Sequence, residues 1–371
     1  MAVPHTRPDL SPSGGERVVG YDVARSLAIL GMMVVHFSLV MGAEHDKPAW
    51  LAALLGLLDG RAAANFVVLA GIGITLLSRR AVAGGDATDI AGARKTLIRR
   101  GAFLLAVGFV NLVIWPGDIL RVYGVSLFLA ARLITAPGRR LLLGALVFAI
   151  GFVILFCALD FEKNWDWVTL SYHGLWTPAG VFKNLFYDGF RSVFPWTGFI
   201  LFGMWLGRLD IRDRATNTRV LLTAAGVALA AESVSRGLVW YMPSRAHGMD
   251  AETVQALFGT ESMPALPLFL LAAGGEAVAL IALCVRVTTA WPGRLWRPLA
   301  CTGQMALTWY AAHIILGLGT VVALDLVGTE PLTAAAGCGV VFFVLAVSAS
   351  WLWRRSWRYG PLEKVLRVLA G

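Results

Sequence analysis

The stretch RSLAILGMMVVH, residues 25–36, sets Arg25 and His36 at the two ends of a nearly all-apolar run that continues past the histidine. A step of eleven residues at 3.6 per turn is close to three full turns. The two side chains therefore point the same way, about 16 Å apart along the axis. Asp22 lies one turn before Arg25 on nearly the same face. One stripe carries Asp22 and Arg25 near a membrane surface and His36 about half a bilayer away. Hydrocarbon rejects such a stripe, so it must face a bundle interior or a wet cavity. A positioned, neutral imidazole there is what a general base requires. The structural alternative is an Asp22–Arg25 ion pair, with His36 hydrogen-bonded to a neighbouring helix.

Working outward, 57% of the 371 residues are hydrophobic and only 15% are charged, with mean hydropathy +0.69. A soluble domain carries roughly 25% charged residues. The chain has too little polar surface for water and reads as an all-α, polytopic integral membrane helical bundle. Its apolar stretches are long, rich in Leu and Ala, and lack the alternation of barrel strands. About ten spans fit the length, expected at 19–42, 62–78, 101–115, 119–135, 141–158, 193–207, 220–241, 263–285, 299–321 and 333–353. Residues 1–16 are rich in Pro, Ser and Gly and predict a disordered tail before a single domain over 17–371. No small-residue cleavage site follows the first span, which predicts a retained helix.

The net charge of +9 is unevenly placed. Assigning linkers alternately to two sides gives about 23 Lys and Arg on the side of the N-terminal tail and about 7 on the other. This positive-inside pattern predicts cytoplasmic termini and a multi-pass protein of the cell (inner) membrane. The basic clusters then read as topology determinants and lipid contacts, and not as a nucleic-acid surface. The four cysteines have no C-x-x-C spacing and read as buried thiols; no metal-ligand pattern or phosphate loop occurs, so no metal is expected. Gly203 and Gly207 form a G-x-x-x-G, which predicts close helix packing.

Other polar residues punctuate the spans. Arg61 precedes the second span and Asn65 lies inside it; GDILRVYG places Asp118, Arg121 and Tyr123 at the outer start of the fourth. Glu232 and Arg236 are one turn apart and expected to pair, and Glu276 lies in the eighth span. GQMALTWYAAH puts Gln304, Thr308 and His313 in the ninth, with Gln304 and His313 on different faces. The aromatic-rich segment 160–192 reads either as an interfacial belt or as the wall of a substrate cleft.

Several of these pieces resemble known families. GYDVARSLAILGMMVVH (20–36) resembles the first-helix signature of transmembrane acyltransferases. FPWTGFILFGMWLGR (194–208), with Trp196, is similar to a segment of the heparan-α-glucosaminide N-acetyltransferase-like family. GDILRVYG (117–124), GQMALTWYAAH (303–313) and RYGPLEKVLR (358–367) resemble the bacterial YeiB-like membrane proteins. The pieces occur in family order from residue 17 to 367.

The resemblance implies an enzyme that takes an acyl group, by default acetyl, from cytosolic acyl-CoA. It would deliver the group to a hydroxyl or amine of an acceptor outside, a sugar or cell-envelope component. His36 and Arg25 correspond to the signature's histidine and basic residue. Lysosomal members carry asparagine at the place of His36, and their proposed catalytic histidine lies near His45, two residues further on. The catalytic candidates are therefore His36, then His45, then His313. Coenzyme A phosphates are expected at Arg25, Arg99 and Arg100. Arg61, Asn65, Asp118, Arg121, Tyr123, Trp196 and Gln304 are candidates for acceptor or oxyanion contacts. Direct transfer and an acyl-histidine intermediate both stay open. The rival class is a transporter or flippase for a small polar or anionic solute, which would also keep Asp22, Arg25, Glu276 and His313 beside water; paired repeats of that class are not evident. Membrane lipids and a second copy of the chain complete the expected partners.

Overall fold

A computed structural model describes residues 17–43, 47–167, 169, 171–242 and 250–371. Among the described residues the regular structure is helical apart from a two-stranded hairpin, β1 (Trp165–Asp166) with β2 (Ser171–Tyr172). Among the described residues, seven helical runs are long and apolar enough to cross a membrane. They are α1 (Val19–Met41), the run Ala49–Gly84 comprising α2 (Ala49–Leu58) and α3 (Arg61–Gly84), α6 (Gly138–Ala158), α9 (Arg214–Tyr241), α11 (Pro267–Ala290), the run Ala306–Ala323, and α15 (Leu332–Ser356). The protein is thus a polytopic membrane protein.

The other three expected spans are α4 (Ala87–Leu112), α5 (Leu120–Leu133) and α8 (Val193–Leu206). α4 begins well before the apolar segment 101–115, because Asp86 caps it by accepting from the Thr88 and Asp89 amides. α5 and α8 have 14 residues each, about 21 Å at 1.5 Å per residue, shorter than the hydrocarbon.

Lipid offers no hydrophobic drive between helices, so close contact of small residues and buried polar bonds must hold the bundle. The G-x-x-x-G of α8 does this against α3. A side chain at Gly203 would collide with the Val68 carbonyl, and one at Gly71 with that of Ile200. α1 is the hub, packing on α3, α11, α12 (Arg297–Gln304) and α15. Gly303 seats against the Asp22 backbone with no room for a Cβ.

The span expected over 299–321 is broken. α12 stops at Met305, whose backbone (φ −111°, ψ 31°) leaves the helical region, and α13 (Ala306–Ala312) starts anew before a π-helical turn at His313–Leu318. The exposed amides of the new start are satisfied from a distance. Glu363 of the C-terminal helix α16 (Pro361–Ala370) accepts from Leu307 N (2.8 Å), Thr308 N (3.0 Å) and Thr308 Oγ1 (2.6 Å). Tertiary capping of this kind leaves no local signal at the break itself. Two of the four cysteines, Cys157 and Cys338, are exposed on helix surfaces and not buried as expected.

Candidate active site

α1 and the π-turn after α13 bring two histidines together. His36 Nδ1 lies 2.9 Å from His313 Nε2, and His313 Nδ1 lies 3.1 Å from the Trp309 carbonyl oxygen. A carbonyl only accepts, so His313 carries its proton on Nδ1 and a lone pair on Nε2. His36 must then donate through Nδ1–H. Its own Nε2 keeps a lone pair and has no hydrogen-bond partner among the described residues, while the ring lines a cavity. His313 is fully buried behind it. The Trp115 ring sits 4.8 Å from His36, centroid to centroid, and its buried Nε1–H has no acceptor.

A polar network fixes this arrangement from behind. The Tyr310 hydroxyl, one turn before His313, lies 3.2 Å from Asn111 Nδ2 and 3.3 Å from Asp118 Oδ1. Asn111 also donates to Asp118 Oδ1 at 2.9 Å, Arg121 Nε pairs with Asp118 Oδ2 at 3.3 Å, and Arg121 Nη1 donates to Asn184 Oδ1 at 3.0 Å. Asp118 and Arg121 are both fully buried. α4, α5 and α13 are therefore locked in register around the histidine pair.

The cavity has a volume of about 460 Å³. His36, Trp115, Asp59, Gly60, Phe190 and Arg191 line one end; Arg25, Arg100, Gln304 and Glu363 line the other. Met32, Phe66, Ala70 and Leu104 form an apolar waist between them, with Tyr123 on its wall. At the arginine end it meets a second cavity of about 1110 Å³, and Arg25, Gly73, Leu77 and Arg100 belong to both. This vestibule is lined by seven arginines, 17, 25, 79, 100, 208, 212 and 367, against two aspartates, Asp22 and Asp210. Asp22 accepts from Arg17 (2.6 Å), Arg25 (3.2 Å) and Gln304 (3.2 Å), so the Asp22–Arg25 pair is present within a larger cluster. Such a vestibule suits a ligand with several phosphates.

The residues singled out in the sequence divide by place. His36, Arg25, Arg100, Tyr123 and Gln304 line the cavity, and His313 backs it. Asp118 and Arg121 belong to the buried network. Arg99, expected beside Arg100, is exposed on another face of α4, as adjacent helical residues must be. Asn65 is buried and donates to the Ala24 carbonyl at 3.3 Å, tying α3 to α1. Arg61 is saturated: Nε to Glu276 (3.0 Å), Nη2 to Glu232 (2.5 Å) and Thr260 Oγ1 (3.1 Å), Nη1 to the carbonyls of Thr260 (3.0 Å) and Gly56 (3.1 Å). Glu232 therefore binds Arg61 closely, and Arg236 only at 4.0 Å. Trp196 is buried under the Arg191 guanidinium, 4.8 Å from centroid to Cζ. His45 lies outside the described residues. Trp115, Tyr310, Asp59, Arg191 and Glu363 were not singled out. Tyr310 and His313, three residues apart, carried the readable signal, since that spacing puts both on one helix face.

A helical membrane bundle with a histidine pair at one end of an internal cavity and a cluster of arginines at the other is the class this geometry defines. Residues 17–243 match the family model described as heparan-alpha-glucosaminide N-acetyltransferase, catalytic, and the chain belongs to that acetyltransferase family. Residues 206–371 match a second model, described as protein of unknown function (DUF418). A relative in Escherichia coli (strain K12), described as uncharacterized protein YeiB, is 25% identical over 400 residues, covering 95% of this chain and 96% of its own length.

Proposed function

We propose that the protein is an acyl-CoA-dependent transmembrane acyltransferase, moving acetyl from cytosolic acetyl-CoA to a hydroxyl or amine of an extracytoplasmic sugar or envelope acceptor. The excess of Lys and Arg in alternate linkers supports placing the vestibule at the cytosol and His36 toward the outside. Coenzyme A phosphates would rest among Arg25, Arg100 and the other vestibule arginines, with the thin pantetheine arm in the apolar waist.

The residues then divide the chemistry. His36 Nε2 accepts the proton of the attacking hydroxyl or amine. The new bond forms to the thioester carbonyl carbon, the C–S bond breaks, and the same proton passes from His36 to the departing thiolate. Nδ1–H remains bonded to His313 throughout, so charge on His36 is shared with a second imidazole. The free Trp115 Nε1–H serves the developing oxyanion. The observation that carries this reading is that the cavity holding His36 shares Arg25, Gly73, Leu77 and Arg100 with the arginine vestibule, in a chain of this acetyltransferase family.

Full-length protein in detergent, given radiolabelled acetyl-CoA and an envelope extract, should release coenzyme A and label an acceptor. His36→Ala should cut that rate by about 10²–10⁴-fold without loss of coenzyme A binding. Undiminished transfer in that variant would remove His36 from the chemistry. A wild-type protein that binds no coenzyme A would favour the transporter class instead.

A further inference from the structure

Arg191 stands at the His36 end of the cavity and, among the described residues, forms no ion pair; the nearby Asp59 acts on it only through space. It is 8% exposed and lines the cavity. Among the described residues it makes one hydrogen bond, Nη1 to the neighbouring Phe190 carbonyl at 2.7 Å. The guanidinium is stacked on Trp196 at 4.8 Å and near Phe190 at 5.7 Å. No carboxylate among the described residues lies within 4 Å of it; Asp59, on the same wall, accepts instead from Ser262 at 2.9 Å.

An arginine offers five N–H donors, and here four are unspent. The other deeply buried arginines behave differently: Arg61 is saturated by two glutamates and three oxygens, and Arg121, though its Nη2 has no partner among the described residues, is paired with the Asp118 carboxylate and donates to Asn184. A buried cation left without its partner is costly, and a fold retains one where something else supplies the charge. A second unspent donor belongs to a residue lining the same chamber. Trp115 Nε1–H is buried without an acceptor among the described residues, and Gly117 packs against it so closely that a Cβ there would lie 2.7 Å from that nitrogen.

We infer that Arg191 is a binding site for an anionic group, a carboxylate or phosphate, carried by the molecule that enters from the His36 end. This deepens the acyltransferase reading, on which it rests for naming that molecule the acyl acceptor. Stacking on Trp196 presents the planar edge of the guanidinium to the chamber, the geometry for a two-point contact with either group. The acceptor is then an acidic one, such as a uronic acid or a sugar phosphate, held by its anion while a hydroxyl or amine faces His36. Arg191 binds and positions; it takes no proton.

The test reads binding alone. Full-length protein in detergent is heated with glucuronate, glucose 6-phosphate or glucose, and coenzyme A affinity is titrated separately. At least one acidic sugar should raise Tm by several degrees where glucose does not. Arg191→Gln should abolish that shift and leave coenzyme A affinity within about twofold; Arg191→Lys, with charge but no planar fork, should fall between. Removal of an unpaired cation should also leave the ligand-free Tm of Arg191→Gln equal to or above that of wild type. Four results would overturn the assignment: no response of wild type to either acid, an equal response in Arg191→Gln, a ligand-free Tm lowered by that change, or a tenfold loss of coenzyme A affinity, which would give the guanidinium to the nucleotide. Because no turnover is measured, Arg191-dependent anion binding in a protein that never consumes acetyl-CoA would support this site while retiring the acyltransferase reading.

Discussion

His36 Nδ1 and His313 Nε2 face each other at 2.9 Å across two helices that are 277 residues apart in sequence. The contact orients the His36 ring and fixes which nitrogen is basic. His313→Leu should leave the His36 ring free to turn and should lower kcat by about 10–100-fold, comparable to loss of an orienting partner at other histidine sites. KM for acetyl-CoA should hold. His313→Gln, whose amide oxygen accepts from Nδ1–H, should recover part of the loss. Steady-state kinetics of the two variants check this, and equal rates for Leu and Gln would contradict it.

Arg25 and Arg100 line both cavities, and Arg99 lines neither. Each charge-assisted bond to a phosphate is worth roughly 1.5–3 kcal/mol, or about 10-fold or more in affinity. Arg25→Gln and Arg100→Gln should therefore each weaken coenzyme A binding about tenfold, measured by calorimetry in detergent. Arg99→Gln should bind as wild type does, although it removes the same charge one residue away.

Arg61 neutralises two partly buried glutamates. Arg61→Ala would leave Glu232 and Glu276 facing each other with only the exposed Arg236, 4.0 Å from Glu232, beside them; because both carboxylates keep some contact with water, the loss should be smaller than the roughly 3–5 kcal/mol of a fully buried broken pair. The expected outcome is a lowered Tm, with coenzyme A affinity unchanged in whatever protein remains folded. A fully stable variant with altered coenzyme A affinity would instead mark Arg61 as a ligand contact.

Outside the spans, Asp86 and Asp213 cap helix starts. Bonds from the Asp89 and Thr88 amides hold the Asp86 carboxyl below its ordinary 3.8, and the Thr216 amide does the same for Asp213. A carboxyl depressed in the folded state stabilises it fully above the unfolded value and loses that contribution as pH falls through the folded value. Tm should drop as pH is lowered past 3.8. The double variant Asp86→Asn, Asp213→Asn keeps good caps without titrating. Its Tm at pH 7 should be near wild type, and its acid loss should be smaller.

The membrane class and the face shared by Asp22, Arg25 and His36 were legible because both follow from periodicity in one apolar helix. The G-x-x-x-G was legible for the same reason: small residues four apart form a groove wherever the partner lies. His36 and His313 were both candidates, yet their contact depends on two helices meeting, which spacing within either does not encode. Arg61 shows the limit most clearly. Its position before a span says that a cation sits at an interface, while its saturation by Glu232, Glu276 and Thr260 is decided by α9, α11 and the segment between them. Arg191 lies in an aromatic stretch that gives no local sign of its role, and only its packing on Trp196 and the lack of an ion pair among the described residues distinguish it. The break at Met305 escaped notice because its cap, Glu363, arrives from the far end of the chain.

The apolar waist of Met32, Phe66, Ala70 and Leu104 has a bearing on the energy economy of the cell. An ion entering there would shed its hydration with few groups to replace it, a barrier of several kcal/mol. A route walled in this way conducts no appreciable current. A slender apolar chain can lie in the gap that excludes a hydrated cation, so acyl delivery through it would cost the membrane none of its voltage.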